Sequence, residues 1–235
     1  PSARETMAAI RAKAAEASEA ARRASEDARL NAAEAANAAR LAARGTAERA
    51  AELLQLEQLA AELVEAGADC IVTGVLTPEG ALDAGAMQPI YAAARKAAEK
   101  AGRPVACTLH RAFDVCADPF AALETARELG LCTILTSGQA ASAPQGAALL
   151  RQLTERAGKD VEILAGAGVS AQNIPVLAAQ TGVRAFHLSG KQVLQSRMTF
   201  RREGVPMGLP GFSEFEVWQT SEANIRAARQ ALDSL

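Results

Sequence analysis

From residue 67 onward, short apolar runs alternate with capped helical segments, and that alternation limits the fold more than any other feature of the chain. Five runs read as buried strands: 68–76 (ADCIVTGVL), 104–110 (PVACTLH), 132–136 (CTILT), 161–165 (VEILA) and 183–188 (VRAFHL). Helix signals fill the gaps between them. Asp118-Pro119 is an N-cap followed by proline at the first helical position, and Gly130 closes that segment. Leu149, Leu150 and Leu153 line one side of 145–157, and Asn173 can cap a helix that runs through Thr181. Over 84–101, Pro89 predicts a helix that starts late or is kinked. Strands of this length alternating with helices form a parallel sheet, with the helices on one side as in a barrel or on both as in an open sheet.

The first fifty residues differ. They hold 21 alanines, no aromatic residue and a single glycine, Gly45. Alanine, glutamate and arginine all favour helix, so residues 2–44 read as helix with Gly45 as its C-terminal cap. Met7, Ile10, Leu30 and Leu41 share no heptad period, so this segment is a weak core element. Thr46 can cap a second helix reaching about Ala66, whose apolar stripe is Leu53, Leu56, Leu59, Leu63 and Val64. The expected division is an Ala-rich helical segment over 1–50 and a βα portion over 51–235.

A formal net charge of -2 and the lack of a basic stripe speak against nucleic acid as a partner. No apolar run approaches the roughly 20 residues of a membrane span. The N-terminal stretch is too rich in acidic residues for a transit peptide, and the first residue is Pro rather than Met, which suggests trimming or a fragment. The four cysteines form no CxxC pair and suggest a reducing, cytoplasmic setting. Cys70 and Cys132 read as small buried hydrophobes in or beside strands.

In βα folds the chemistry sits at the C-terminal ends of the strands. Small and polar residues gather there in this chain. The densest group is His110, Arg111 and Asp114 after the second strand. Histidine can move a proton or ligate a metal, arginine offers a planar fork for an anion, and Asp114 could orient either. The competing reading is an ion pair that ties the loop down. Ser137 and Gly138 follow the third strand, Gly166 and Gly168 the fourth, and Ser189 and Gly190 the fifth. Glycine-rich turns at consecutive strand ends suit an anion, although each is equally a tight βα turn. His187 alternates with Phe186 and Leu188, and points inward if those two face the helices. Ser137 lacks a Gly-x-Ser-x-Gly elbow, so nucleophilic hydrolysis has no support.

These residues also carry a resemblance. The stretch 108–114 (TLHRAFD) resembles the HRAFD motif of the CutC copper-homeostasis family. So do 118–125 (DPFAALET), 135–138 (LTSG), 182–190 (GVRAFHLSG) and a tail with Met198, Phe200, Arg201, Val205, Met207 and Gly208. The similarity runs over about residues 56–235. It implies an α/β fold, a TIM-like parallel βα barrel either partial or completed, behind an Ala-rich helical extension. It also implies a cytoplasmic protein linked to copper handling, with Cu(I) as the metal. The family usually has Pro-Gly-Gly-Gly where this chain has 165–168 (AGAG), and it begins with three βα units, two of them bearing cysteine, that have no counterpart here. Five strands cannot close an eight-stranded barrel. The N-terminal helices could cover the gap, two chains could complement each other as a homo-oligomer, or the sequence could be truncated.

Three functions follow as expectations. One is Cu(I) binding in copper homeostasis, with Cys107 and Cys116 as the thiols that flank the His110 loop. The second is a barrel enzyme for a small phosphorylated or anionic metabolite, with His110 as acid or base, Arg111 as anion clamp and the glycine loops as phosphate site. The third is a non-catalytic remnant.

Overall fold

The computed structural model describes residues 47–202, 204, 205, 213 and 215–235. The helix expected over 2–44 and its caps at Gly45 and Thr46 lie outside the described residues. The chain divides into two compact units that meet at Leu56 and Glu57. Glu57–Leu235 holds the sheet and all the candidate site residues.

Helix α1 spans 47–65. The parallel sheet comprises β1 (Cys70–Thr73), β2 (Ala106–Leu109), β3 (Thr133–Thr136), β4 (Glu162–Ala165) and β5 (Ala185–Phe186). Between them run α2 (Ala84–Lys100), a short 3-10 helix (Arg111–Val115), α3 (Pro119–Glu128), α4 (Ala147–Ala157) and α5 (Ile174–Thr181). The sheet order is β1-β2-β3-β4-β5, every pair parallel. Each strand lies beside its predecessor with no reversal, which is the progression of a βα barrel rather than of a doubly wound sheet. The fold is therefore α/β and a partial TIM-like barrel, with β1 and β5 as its edges among the described residues. After β5 the chain forms an antiparallel ribbon of β6 (Lys191–Gln195) and β7 (Glu216–Thr220), then helix α6 (Glu222–Asp233).

Each strand is shorter than its apolar run, because the flanking residues turn away to reach the helices. Leu76, for example, bridges to Leu82 instead of extending β1. Register separates two faces. Ile71, Cys107, Leu109, Ile134, Ile163 and Ala165 are buried against the helix layer. The opposite face carries Val72, Thr108, Thr133, Leu135 and Leu164, and Val72 is 54% exposed there.

The expected leucine face of α1 and the late start of α2, one of the two alternatives raised by Pro89, are corrected. In α1 the leucine stripe is not the buried face: Leu56, Leu59 and Leu63 are exposed, while Ala60 and Val64 are buried. The guanidinium of Arg103 ties down the C-terminal end of α1 by donating to the carbonyls of Val64 and Ala68. Helix α2 does not start late. Asp83 caps it by accepting from the Ala86 N–H at 2.9 Å, and Pro89 lies inside it. Proline at the sixth position leaves one carbonyl of the first turns without its donor, a defect that a strong cap and the buried Met87, Ile90 and Tyr91 outweigh. Asp118 caps α3 as expected, accepting from Phe120 and Ala121 N–H.

Candidate functional site

The loop after β2 is built by its own side chains. His110 Nδ1 accepts a hydrogen bond from the Ala112 N–H at 3.1 Å and so caps the 3-10 helix. The neutral ring must then carry its proton on Nε2, and that nitrogen is presented as a donor. Gly74 makes room for the ring, since a Cβ there would lie 2.9 Å from His110 Nδ1.

Asp114 is held by the next strand end. Its Oδ1 accepts from Thr136 Oγ1 at 2.5 Å, Ser137 N at 2.9 Å and Gln139 N at 3.2 Å. Its Oδ2 accepts from Arg111 Nε at 2.6 Å and lies 3.0 Å from Ser137 Oγ. Burial works against the charged carboxylate, but these hydrogen bonds outweigh it and hold the carboxyl below its usual range. The β3 loop is thus an anion nest whose anion is the protein's own carboxylate. The backbone N–H of Ser137 is committed to Asp114, and that of Gly138 to Thr136 Oγ1 at 2.9 Å. Gly138 has φ +71, and a Cβ on it would approach the Gly146 carbonyl oxygen to 2.4 Å, so backbone packing requires the glycine.

Arg111 faces the other way as well. Its Nη2 donates to Ser137 Oγ at 3.1 Å, and Nη1 has no partner among the described residues. The guanidinium lines a cavity of 570 Å³ at the C-terminal ends of β3, β4 and β5, shared with Gly168, His187, Ser189, Gly190 and Lys191. The structure therefore brings together four of the expected site residues, Arg111, Gly168, Ser189 and Gly190. His110, Asp114, Ser137, Gly138 and Gly166 do not line this cavity. Gly166 is buried, and a Cβ on it would meet Leu135 Cδ1 at 2.7 Å.

Lys191 adds a second cation to the lining, and His187 adds an imidazole. The pairing of Ala165 with Phe186 puts Phe186 on the helix side, so His187 points into the cavity. The expected alternation holds for Phe186 but not for Leu188, which also lines the cavity because the strand ends at Phe186. Lys191 also lies over the Trp218 ring at 4.1 Å, a contact made possible by a ribbon partner almost thirty residues away. Ser170 and Gln172 line the cavity too, and nothing in their local sequence marked them. Ala167 has φ +70, an uncommon left-handed conformation for a residue with a Cβ, followed by Gly168 at φ +69.

All four cysteines are free. Cys107 and Cys116 are both buried but keep different company. Cys107 lies beside Arg95 and Cys132, whereas Cys116 Sγ is 3.3 Å from Gln139 Nε2. Burial raises both thiols above their ordinary pKa. Cys132 is exposed rather than buried. Among the described residues no group of three or more His, Cys, Asp or Glu side chains is arranged to hold a metal ion.

The sequence model of the CutC family matches residues 48–192. A family protein CutC from Chromobacterium violaceum is 45% identical over 167 residues, which is 71% of this chain and 64% of that protein. One from Parabacteroides distasonis is 42% identical over 158 residues, 67% of this chain and 62% of its own length. The crystal structure of a CutC protein from Streptococcus agalactiae aligns with a TM-score of 0.52 at 27% identity, covering 58% of this chain and 63% of that one. This chain thus spans a little under two thirds of the length of these relatives.

Proposed function

Because the chain belongs to the CutC family, we propose that it serves copper homeostasis and that it does so in part through a small-anion pocket at its strand ends. The observation that carries the pocket is the convergence of Arg111, His187 and Lys191 with the Gly168 and Gly190 turns around one open cavity. Asp114 and Ser137 orient the Arg111 fork while Nη1 has no partner among the described residues. A phosphate or carboxylate group would take that donor together with the Ser189 hydroxyl. Leu135, Val169 and Leu188 give the same cavity an apolar wall, so a small anionic metabolite suits it better than a free inorganic ion. In an enzymatic version of this reading, His187 stands in the cavity as the proton carrier, and His110 serves the loop as a cap.

Copper enters this reading as cargo, as Cu(I), for which free thiols in a reducing cytoplasm are the natural donors. Among the described residues no helix is long and apolar enough to cross a membrane.

Thermal unfolding in graded inorganic phosphate, at constant ionic strength, tests the pocket. A ligand at about 100 times its Kd stabilises the folded state by roughly 2.7 kcal/mol. Saturable stabilisation that disappears in Arg111→Met is expected. A response equal to that in chloride, or one retained by Arg111→Met, would remove the anion reading.

A further inference from the structure

The opposite end of the sheet carries a second cavity, of 430 Å³, lined among others by Arg95, Arg103, Cys107, Gly130 and Cys132. Cys107 and Cys132 immediately precede the paired residues Thr108 and Thr133 of β2 and β3. They are therefore neighbours on adjacent parallel strands, with side chains on the same side of the sheet. The Cys132 N–H donates to the Cys107 carbonyl oxygen at 3.0 Å, and the Cys132 thiol lies 3.2 Å from that same oxygen. Cys132 is exposed, and Cys107 is buried but lines the same cavity. Arg95, anchored by hydrogen bonds to the carbonyls of Leu129 at 2.8 Å and Gly130 at 2.9 Å, lies beside Cys107.

We propose that Cys107 and Cys132 form a two-coordinate dithiolate site for Cu(I) at this end of the sheet. The proposal rests on the copper reading above and gives it a place. Binding replaces two S–H bonds by two S–Cu bonds and releases two protons, with no change of oxidation state. The resulting copper dithiolate carries one negative charge, which the fixed guanidinium of Arg95 offsets. The donor set selects the metal. Thiolates favour soft Cu(I), and a monovalent d10 ion is satisfied by two of them, whereas Zn(II) requires about four ligands. The carboxylate among the lining residues, Asp69, is already paired with Arg103 at 3.0 Å. Cys70 does not compete, because its thiol sits on the other face of the sheet, 3.3 Å from Thr108 Oγ1.

The test is an anaerobic titration of the whole reduced chain with Cu(I), in competition with a chromogenic Cu(I) chelator. One Cu(I) per chain is expected, with a near-ultraviolet thiolate-to-copper band. Its apparent affinity should rise about 100-fold per pH unit while both thiols are protonated in the free protein. Cys132→Ala changes an exposed side chain and should keep the fold by circular dichroism yet weaken binding at least 100-fold. Cys107→Ala should do the same, and Cys70→Ala should bind like the unsubstituted chain. Undiminished binding by Cys132→Ala overturns the pair and leaves the copper reading standing. Loss of binding in Cys116→Ala with full binding in Cys132→Ala overturns it in favour of the other thiol. Failure of the unsubstituted chain to take up Cu(I) removes the copper reading together with its site.

Discussion

Asp114 shows how one side chain organises two loops. Its carboxylate gathers donors from Arg111, Thr136, Ser137 and Gln139, most of them more than twenty residues away. Asp114→Asn keeps the shape but loses the charge, and should cost about 3 kcal/mol of stability in urea unfolding at pH 7. The pH dependence has a definite sign. The folded carboxyl titrates below its ordinary value of about 3.9, so its stabilisation is present above that value and is lost as pH falls through the folded value. Unfolding measured from pH 7 to pH 2 should therefore weaken more steeply below about pH 4 in the unsubstituted chain than in Asp114→Asn. Ala167 poses the opposite case. Its left-handed backbone costs roughly 1 kcal/mol relative to glycine, so Ala167→Gly should raise stability by about that amount in the same assay. The composition 165–168 (AGAG) identified this turn, but only φ of Ala167 shows that the alanine is strained there.

At the scale of elements, the caps were readable and the rotations were not. Asp118 before Pro119 specifies the start of α3 through bonds within three residues, so local sequence is sufficient. The end of α1 is tied to Arg103, almost forty residues later, and which of its apolar residues are buried depends on such distant packing rather than on the leucine spacing. Tyr91 is a second such tie. Its buried hydroxyl lies 3.2 Å from the carbonyl oxygens of both Thr73 and Thr108, linking α2 to the ends of β1 and β2. Tyr91→Phe should lower stability by about 1 kcal/mol while leaving the circular dichroism spectrum unchanged. A loss well under that amount would show that solvent satisfies those carbonyls without help.

For the whole molecule, the sequential order of five parallel strands predicts a gradient of protection. β3 is paired on both sides and its Ile134 is fully buried, whereas β1 and β5 each lack one neighbour among the described residues. In native-state hydrogen exchange the amides of β3 and β4 should be the slowest, and the outward amides of β1 and β5 faster by orders of magnitude. Equal protection across all five strands would mean that both edges are covered in solution. The same order sets the two ends of the sheet apart. One end carries the cationic cavity around Arg111, and the other carries the thiols of Cys107 and Cys132.

The sequence by itself determined the α/β class and the number of the described parallel strands, and it placed Arg111, Gly168, Ser189 and Gly190 just after strands; the order of the strands in the sheet came from the structure. Class, number and placement follow from alternation, capping and chain direction, which act over a few residues. Only the tertiary structure decided which donors remain available. Asp114 fills the nest at Ser137, His110 spends its Nδ1 on a cap, and Cys107 finds Cys132 across the sheet rather than Cys116 along the chain. The His110 cap is local, a bond to an N–H two residues on, but the other two outcomes bring together groups more than 20 residues apart, and no local pattern encodes which of several such approaches the packed sheet will allow.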